Sequence, residues 1–171
     1  MELWDLYDKN GKPTGETMVR GEVIPEGRYH LVVHVWIHDE NGRYLISQRS
    51  KSRTKNPLLW ECVGGSVLAG EDSLTAALRE TEEEIGVKLS PSAGRLMFSK
   101  VREEINGVVF RDIVDVWSFK YDGEAKLENA TTDEVEQAHR MTAEEIKALW
   151  DKGLLVPSLE YFFTDINEKT V

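Results

Sequence analysis

The sequence predicts an α/β fold, a mixed central sheet with helices packed against it. Three observations predict it. Runs rich in β-branched and aromatic residues recur along the chain, as in HLVVHVWIH and VVFRDIVDVWSFKY. Two stretches, SLTAALRETEEEI and TAEEIKALWDK, carry helical spacing and capping signals instead. No Pro/Gly/Ser-rich linker, internal repeat or low-complexity tract divides the 171 residues. Such a length suffices for one domain with a substantial core, and residues 1–171 are read as a single domain.

Taken in order, Leu3–Tyr7 and Glu16–Val19 flank NGKPTG and read as a hairpin. His30–His38 is a strand, and DENG at 39–42 turns it back into a second strand, Arg43–Gln48. Leu59–Val63 is a strand leading into the glycine turn Gly64-Gly65. A helix follows, with Asp72 or Ser73 as N-cap and Gly86 at its C-terminal stop. Leu96–Ile105 and Val108–Tyr121 are strands joined by Asn106-Gly107, a strong hairpin signal. Val135–Met141 is a further strand. Thr142 to Glu145 forms a capping box that opens a helix to about Lys152, and Pro157 begins a last short helix.

The net charge is −10, from 21 basic and 31 acidic residues. Such a surface disfavours nonspecific nucleic-acid or membrane binding, although a local basic patch can still hold an anionic substrate. The N-terminus MELWDLYDKN lacks the basic start and apolar run of a signal peptide, and no stretch approaches transmembrane length. Cys62 is the only cysteine, which excludes an internal disulfide and fits a reducing, cytoplasmic location. The oligomeric state stays open, a homodimer included.

The helix after the glycine turn carries Arg79, Glu80, Glu82, Glu83 and Glu84 in its last turns. Like charges at spacing i,i+4 weaken a helix, so this density calls for a reason. On a helical wheel, Leu74, Leu78, Thr81 and Ile85 form the core-facing stripe, with Ala77 at its border. Glu80 and Glu84 share a face beside that stripe, and Glu83 lies further round, four residues after Arg79. Oxygen-only ligands suit a hard cation, Mg²⁺ or Mn²⁺. Gly64 and Gly65 leave the preceding backbone bare, so a carbonyl can approach such an ion. A Glu-rich run alone reads equally well as a solvated helix face.

The spacing decides between these. Gly65, five residues, Glu71, seven residues, then RETEEEIGV resembles the Nudix box, G-x5-E-x7-R-E-U-x-E-E-x-G-U with U aliphatic. Every fixed position matches, and Thr81 is the one departure, at an aliphatic position. The resemblance implies a Nudix α/β/α sandwich with a mixed central sheet. It also implies a Mg²⁺- or Mn²⁺-dependent phosphohydrolase acting on a small-molecule diphosphate. Glu80 and Glu84 with the Gly64 carbonyl would hold metal. Glu83, oriented by Arg79, would be a further ligand or the general base. Glu71 would reach a second metal or support the loop.

Outside the box, His30, His34 and His38 recur every four residues. On a strand they stand roughly 13 Å apart, too far to share one ion, so they read as ordinary strand histidines. SQRSKSRTKNPLLW places Arg49, Lys51, Arg53 and Lys55 in an acidic chain, either as a solvated loop or as a phosphate clamp. Arg49 and Arg53 are the better candidates for the clamp, because arginine grips phosphate oxygens in a bidentate fork. Asp112 is the first candidate for an acid outside the box that assists the metal or the water, and Glu134 the second. Cys62 reads as a small buried apolar residue.

LWDLYDKNGKPTG, YHLVVHVWIHDENGRYLISQRS and LWECVGGS also resemble the branch that contains isopentenyl-diphosphate isomerases. That branch places a catalytic cysteine immediately before the first box glycine, where this chain has Gly64, and a histidine after it, where this chain has Ser66. Cys62 is two residues earlier, about 7 Å along a strand. Hydrolysis of a P–O–P linkage, in a nucleoside diphosphate linked to another group or a nucleoside triphosphate, is therefore the favoured expectation. The isomerase and a non-catalytic Nudix-fold nucleotide-binding domain are the alternatives.

Overall fold

The structure, a computed structural model, describes residues 1–167. In chain order the elements are β1 (Leu3–Tyr7), β2 (Pro13–Val19), β3 (His30–His38), β4 (Tyr44–Arg49), β5 (Trp60–Glu61) and β6 (Val63–Ser66). There follow α1 (Ser73–Ile85), β7 (Gly94–Ile105), β8 (Val108–Lys120), β9 (Val135–Met141) and α2 (Ala143–Asp151). Among the described residues, no helix is long and apolar enough to cross a membrane.

Strand β3 organises the molecule because both of its faces are apolar. Val33, Val35 and Ile37 project to one side and pack with Val63, Ala76, Ala77, Ile85 and Phe119, so α1 covers that face. Val32 and Trp36 project to the other, where Tyr44, Ile46, Val116, Ile146 and Phe162 close a second core under α2 and the C-terminal turns. Helices on both faces of a seven-stranded mixed sheet make the expected α/β/α sandwich. β8 runs parallel to β3 along its whole length, from His30 opposite Asp112 to His38 opposite Lys120. On the other edge of β3, antiparallel β6 pairs from Val32 opposite Ser66 to Val35 opposite Val63, and β4 joins at His38 opposite Tyr44.

Most expected elements form within a residue or two of their expected bounds. Leu59–Val63 does not form one strand. The chain pairs with β4 at Trp60 and Glu61, then crosses to β3 at Val63, with Cys62 turned into the core at the step. The last expected helix is two short pieces, a 3₁₀ turn at Pro157–Leu159 and a π turn at Phe162–Ile166. Leu74 and Leu78 are only partly buried, and Ala76, Ala77, Thr81, Glu84 and Ile85 form the buried face of α1. Thr81, the departure from the box pattern, is fully buried and donates its hydroxyl to the Ala77 carbonyl at 2.7 Å. Bonding back one turn in this way hides its polarity inside the helix.

The N-terminal hairpin β1–β2 forms its own two-stranded sheet over a small core of Trp4, Leu6 and Met18. It is tied to the body by backbone bonds between Tyr7 and Tyr29 (2.8 and 3.0 Å) and by a stack of Trp4 on His30. The three strand histidines meet separate partners. His30 lies under Trp4, His34 Nδ1 is 2.6 Å from the Tyr161 hydroxyl, and His38 Nδ1 is 3.4 Å from the Asp39 carbonyl.

Burial, helped by the charges of Arg102 and Arg20, lowers the His30 pKa from 6.5 to about 4. Between those values the unfolded chain takes up a proton that the folded chain refuses, so the stability is present above pH 6.5 and falls as pH falls toward 4. Over that span the loss attributable to His30 is about 3 kcal/mol. His30→Phe keeps the stack on Trp4 and removes the titration. Urea unfolding at several pH values should show parent and variant diverging above pH 4 by that amount. Parallel stability–pH curves would mean that His30 titrates normally.

Candidate active site

The site grows from the contact between β6 and α1. Gly65 sits so close to the helix that a Cβ there would lie 2.2 Å from the Glu80 carboxylate. Only glycine leaves room for a carboxylate against the backbone at this point. Asp72 caps α1 by accepting from the Thr75 N–H at 2.7 Å. Gly86 ends the helix in the left-handed region, φ +68°, with its N–H bonded to the Glu82 carbonyl at 3.0 Å.

Arg79 holds the glycine loop and the helix together. It grips Glu71 with two bonds of 2.9 Å and donates to Glu80 at 2.9 Å, Glu83 at 3.1 Å and the Ser66 carbonyl at 3.0 Å. The expected pairing with Glu83 is present, but the bidentate partner is Glu71. Burial works against the Glu71 charge, yet Arg79 and the Leu68 N–H hold its pKa below the usual range. Glu71 is thus bonded at once to Arg79 and to the Leu68 N–H of the loop.

Glu84 has a different environment. It is 5% exposed and has no hydrogen-bond or ion-pair partner among the described residues. Burial first, then the charges of Glu61, Glu80 and Glu134, push its pKa well above the usual carboxylate value, against Arg53. Burial likewise raises Glu80 to about 7, opposed by Arg79 and reinforced by Glu83 and Glu134. Glu80, Glu83, Glu61 and Glu134 are each paired with an arginine, and Glu84 is the one carboxylate of the group without an ion-pair partner among the described residues, a condition that a bound cation relieves. Their hard oxygen donors fit Mg²⁺ or Mn²⁺. No three acidic, histidine or cysteine side chains among the described residues stand together as a ready-made cage. Arg79 holds Glu71, Glu80 and Glu83 to itself.

Two cavities meet at Gly64–Ser66. One, about 140 Å³, is lined by Glu80, Glu83, Glu134, Arg53, Arg79 and Arg20. The other, about 190 Å³, is lined by His34, Cys62, Glu61, Arg49, Arg102 and Val156. A larger groove of about 720 Å³ beside the β3–β4 turn, lined by His38, Asn41 and Glu144 among others, contains none of the candidate residues. Arg49 and Arg53 are not free in solvent. Arg49 pairs with Glu61 and Arg53 with Glu134, each at 2.7 Å, so they stand on the rims of the two cavities. Lys51 is exposed.

The sequence named Asp112 first and Glu134 second as the acid outside the box, and the structure gives the two different surroundings. Asp112 lies opposite Arg102 on the β7–β8 hairpin and receives two bonds of 2.7 Å from it. Both groups are buried, at 4% and 7% exposure. Asp112 is thus engaged in fixing Arg102, which lines the second cavity, and stands apart from the acidic group around Glu84. Glu134 belongs to that group, held by Arg53. Two contributors escaped the sequence reading. Glu61, within the expected strand Leu59–Val63, is the carboxylate whose charge most raises Glu84. Arg102 became visible only with the hairpin register.

The chain matches the family described as NUDIX domain over residues 28–161. It is 38% identical to an uncharacterized Nudix hydrolase of Listeria monocytogenes over 164 residues, 95% of this chain and 91% of that protein. It is 39% identical to an isopentenyl-diphosphate Delta-isomerase of Streptomyces coelicolor over 92 residues, 53% of this chain and 45% of that protein. The fold is shared with the crystal structure of a Deinococcus radiodurans protein, DR0079, with a TM-score of 0.69 and 23% identity over 91% of this chain and 92% of that one. The chain belongs to the Nudix hydrolase family.

Removing one partner of a buried ion pair leaves the other charge uncompensated. Asp112→Ala should therefore cost roughly 3–5 kcal/mol in denaturant unfolding. Asp112→Ala combined with Arg102→Met should recover most of that loss, since it removes both charges. A loss under about 1 kcal/mol in the single variant would show the pair to be as weak as a surface bridge.

Proposed function

We propose that this Nudix hydrolase cleaves a P–O–P linkage with Mg²⁺ or Mn²⁺. Its substrate class would be a nucleoside diphosphate linked to another group, or a nucleoside triphosphate. The observation that carries the reading is Glu84, a buried carboxylate without a partner among the described residues, raised by its burial and then by three other carboxylates, on the helix that faces the bare Gly64–Gly65 backbone. A fold seldom keeps such an arrangement unless a cation or a proton completes it.

Glu80 and Glu84, with the Gly64 carbonyl, would hold the cation. When bound, it neutralises the diphosphate oxygens and acidifies the attacking water. Glu83 is the most open of the carboxylates held by Arg79, its side chain 37% exposed against 14% for Glu80 and 11% for Glu71. It is suited to take the proton of that water, with Arg79 orienting it. The water oxygen then bonds to phosphorus, the bridging P–O bond breaks, and the leaving phosphate keeps the electron pair. Arg53 and Arg49 stand where they can exchange carboxylate partners for phosphate oxygens.

The isomerase reading places its chemistry on a thiol. Cys62 lines the second cavity, but burial pushes its thiol pKa well up and it is almost fully enclosed. The position before the first box glycine is Gly64, which has no proton to give.

Purified protein with Mg²⁺ should release phosphate or a mononucleotide from at least one member of a panel of dinucleotides, nucleotide sugars and (d)NTPs. With a substrate so identified, Glu84→Gln and Glu80→Gln should each lower kcat by roughly 10²-fold or more, since each removes a charged metal ligand. Far-ultraviolet circular dichroism should be unchanged. Full activity in either variant would end the metal assignment. Conversion of isopentenyl diphosphate to its allylic isomer, above the Glu84→Gln background, would replace hydrolysis with isomerisation. Binding without turnover across the panel would leave the non-catalytic reading.

A further inference from the structure

We infer that Arg20, which lies outside the family domain at residues 28–161, is a phosphate-binding residue delivered to the active-site cleft by the N-terminal hairpin. The inference rests on the reading of that cleft as a diphosphate-hydrolysing site.

Arg20 follows β2 and Glu2 precedes β1, so the two face each other across the open end of the hairpin. The Arg20 N–H donates to the Glu2 carbonyl at 3.0 Å, and the guanidinium lies 2.6 Å from the Glu2 carboxylate. Both side chains line the cavity that holds Gly64, Arg53, Glu80 and Glu134. The position is fixed by contacts to the glycine loop itself. The Leu3 carbonyl accepts from the Ala69 N–H at 2.8 Å, and Asp5 accepts from the Gly70 N–H at 2.7 Å. Arg20 is therefore registered to the same loop that carries Gly65.

Its pairing marks it as available. Arg79 is held by Glu71, Glu80 and Glu83, and Arg53 by Glu134, so moving either guanidinium disturbs the acidic group. Arg20 has Glu2 as its one hydrogen-bonded partner among the described residues, feels Glu134 and Glu80 only at longer range, and the two side chains of the pair are 51% and 48% exposed. An ion pair this open contributes little to folding. Exchanging the Glu2 carboxylate for a phosphate keeps the same bidentate chemistry and leaves the acids around Glu84 in place. A cleft dominated by carboxylates needs such a cation to admit a polyanion.

The test is equilibrium binding of Mg²⁺–imidodiphosphate, a P–N–P analogue that resists hydrolysis, to the full-length chain. Arg20→Ala should weaken binding roughly tenfold to a hundredfold, as expected for a lost charge-assisted bond. Arg20→Lys should restore part of the loss, and Glu2→Gln, which frees the guanidinium, should tighten binding. Melting temperatures should match the parent. Unchanged affinity in Arg20→Ala would overturn the assignment and leave the proposed hydrolase standing. A similar loss of affinity in all three variants, with lowered melting temperatures, would also overturn it by making the Arg20–Glu2 pair structural. No Mg²⁺-dependent binding by the parent would defeat the diphosphate reading of the cleft, and this inference with it.

Discussion

One guanidinium holds the candidate site in shape. Arg79 donates to three carboxylates and a carbonyl drawn from three places: the last residue of β6, the end of the connection to α1, and the last turns of α1 itself. Without it, Glu71, Glu80 and Glu83 would repel one another, and the loop would be held against the helix by packing alone, that of Gly65 and of Val63 and Val67 on Ala76, Ala77 and Ile85. Arginine suits this position because its planar fork offers several donors at set angles and stays charged when half-buried. Lysine would supply the charge, but its three donors could not make the five bonds that Arg79 makes to three carboxylates and the Ser66 carbonyl.

Glu84 is the counterpart that Arg79 does not reach. It lies on the buried face of α1, beside Ala77, Thr81 and Ile85, because helical spacing places it there. The rest of that face packs on Val33, Val35 and Ile37 of β3. A single apolar residue at 84 would extend this core with no electrostatic cost. The chain instead keeps a carboxylate whose pKa is raised by burial and further by the charges of Glu61, Glu80 and Glu134. The rule that a buried charge has a counter-charge is broken at Glu84, while Thr81 on the same face is fully satisfied. A strongly raised carboxylate in such surroundings is what a candidate functional site offers.

The sequence revealed the site where spacing along one element decides geometry. The caps of α1, the pairing of Arg79 with Glu83 and the common face of Glu80 and Glu84 all follow from the helical period. It was silent or misleading where geometry comes from between strands. Asn106-Gly107 announces the β7–β8 turn, and counting back from it sets Arg102 opposite Arg111, two like charges. In the structure a bulge between Arg102 and Glu104 shifts the register by one residue, and Arg102 faces Asp112. Arg111 takes the bulge in the left-handed region, φ +49°. A bulge of this kind leaves no reliable trace in a single sequence. Glu61 was overlooked for a related reason: the break of the strand at Cys62, which turns it toward Glu84, depends on which neighbour each half pairs with.

That bulge also connects the two ends of the site. Its strained residue, Arg111, donates to the Ile24 carbonyl at 2.7 Å, in the segment that follows β2 and leads into β3. The same irregularity that seats Arg102 on Asp112 at the wall of the second cavity thus tethers the segment behind Arg20 at the edge of the first. His30 lies between them, opposite Asp112 in the β3–β8 register and stacked on Trp4 of the hairpin. A regular hairpin would leave Arg102 against a like charge and Ile24 without its donor. The cost of one non-glycine residue at positive φ, of order 1–2 kcal/mol, is small beside that of an unpaired buried arginine. Retention of the bulge follows from that inequality. It makes the β7–β8 ribbon a second anchor of the N-terminal region, holding the segment after the hairpin while the glycine loop holds β1.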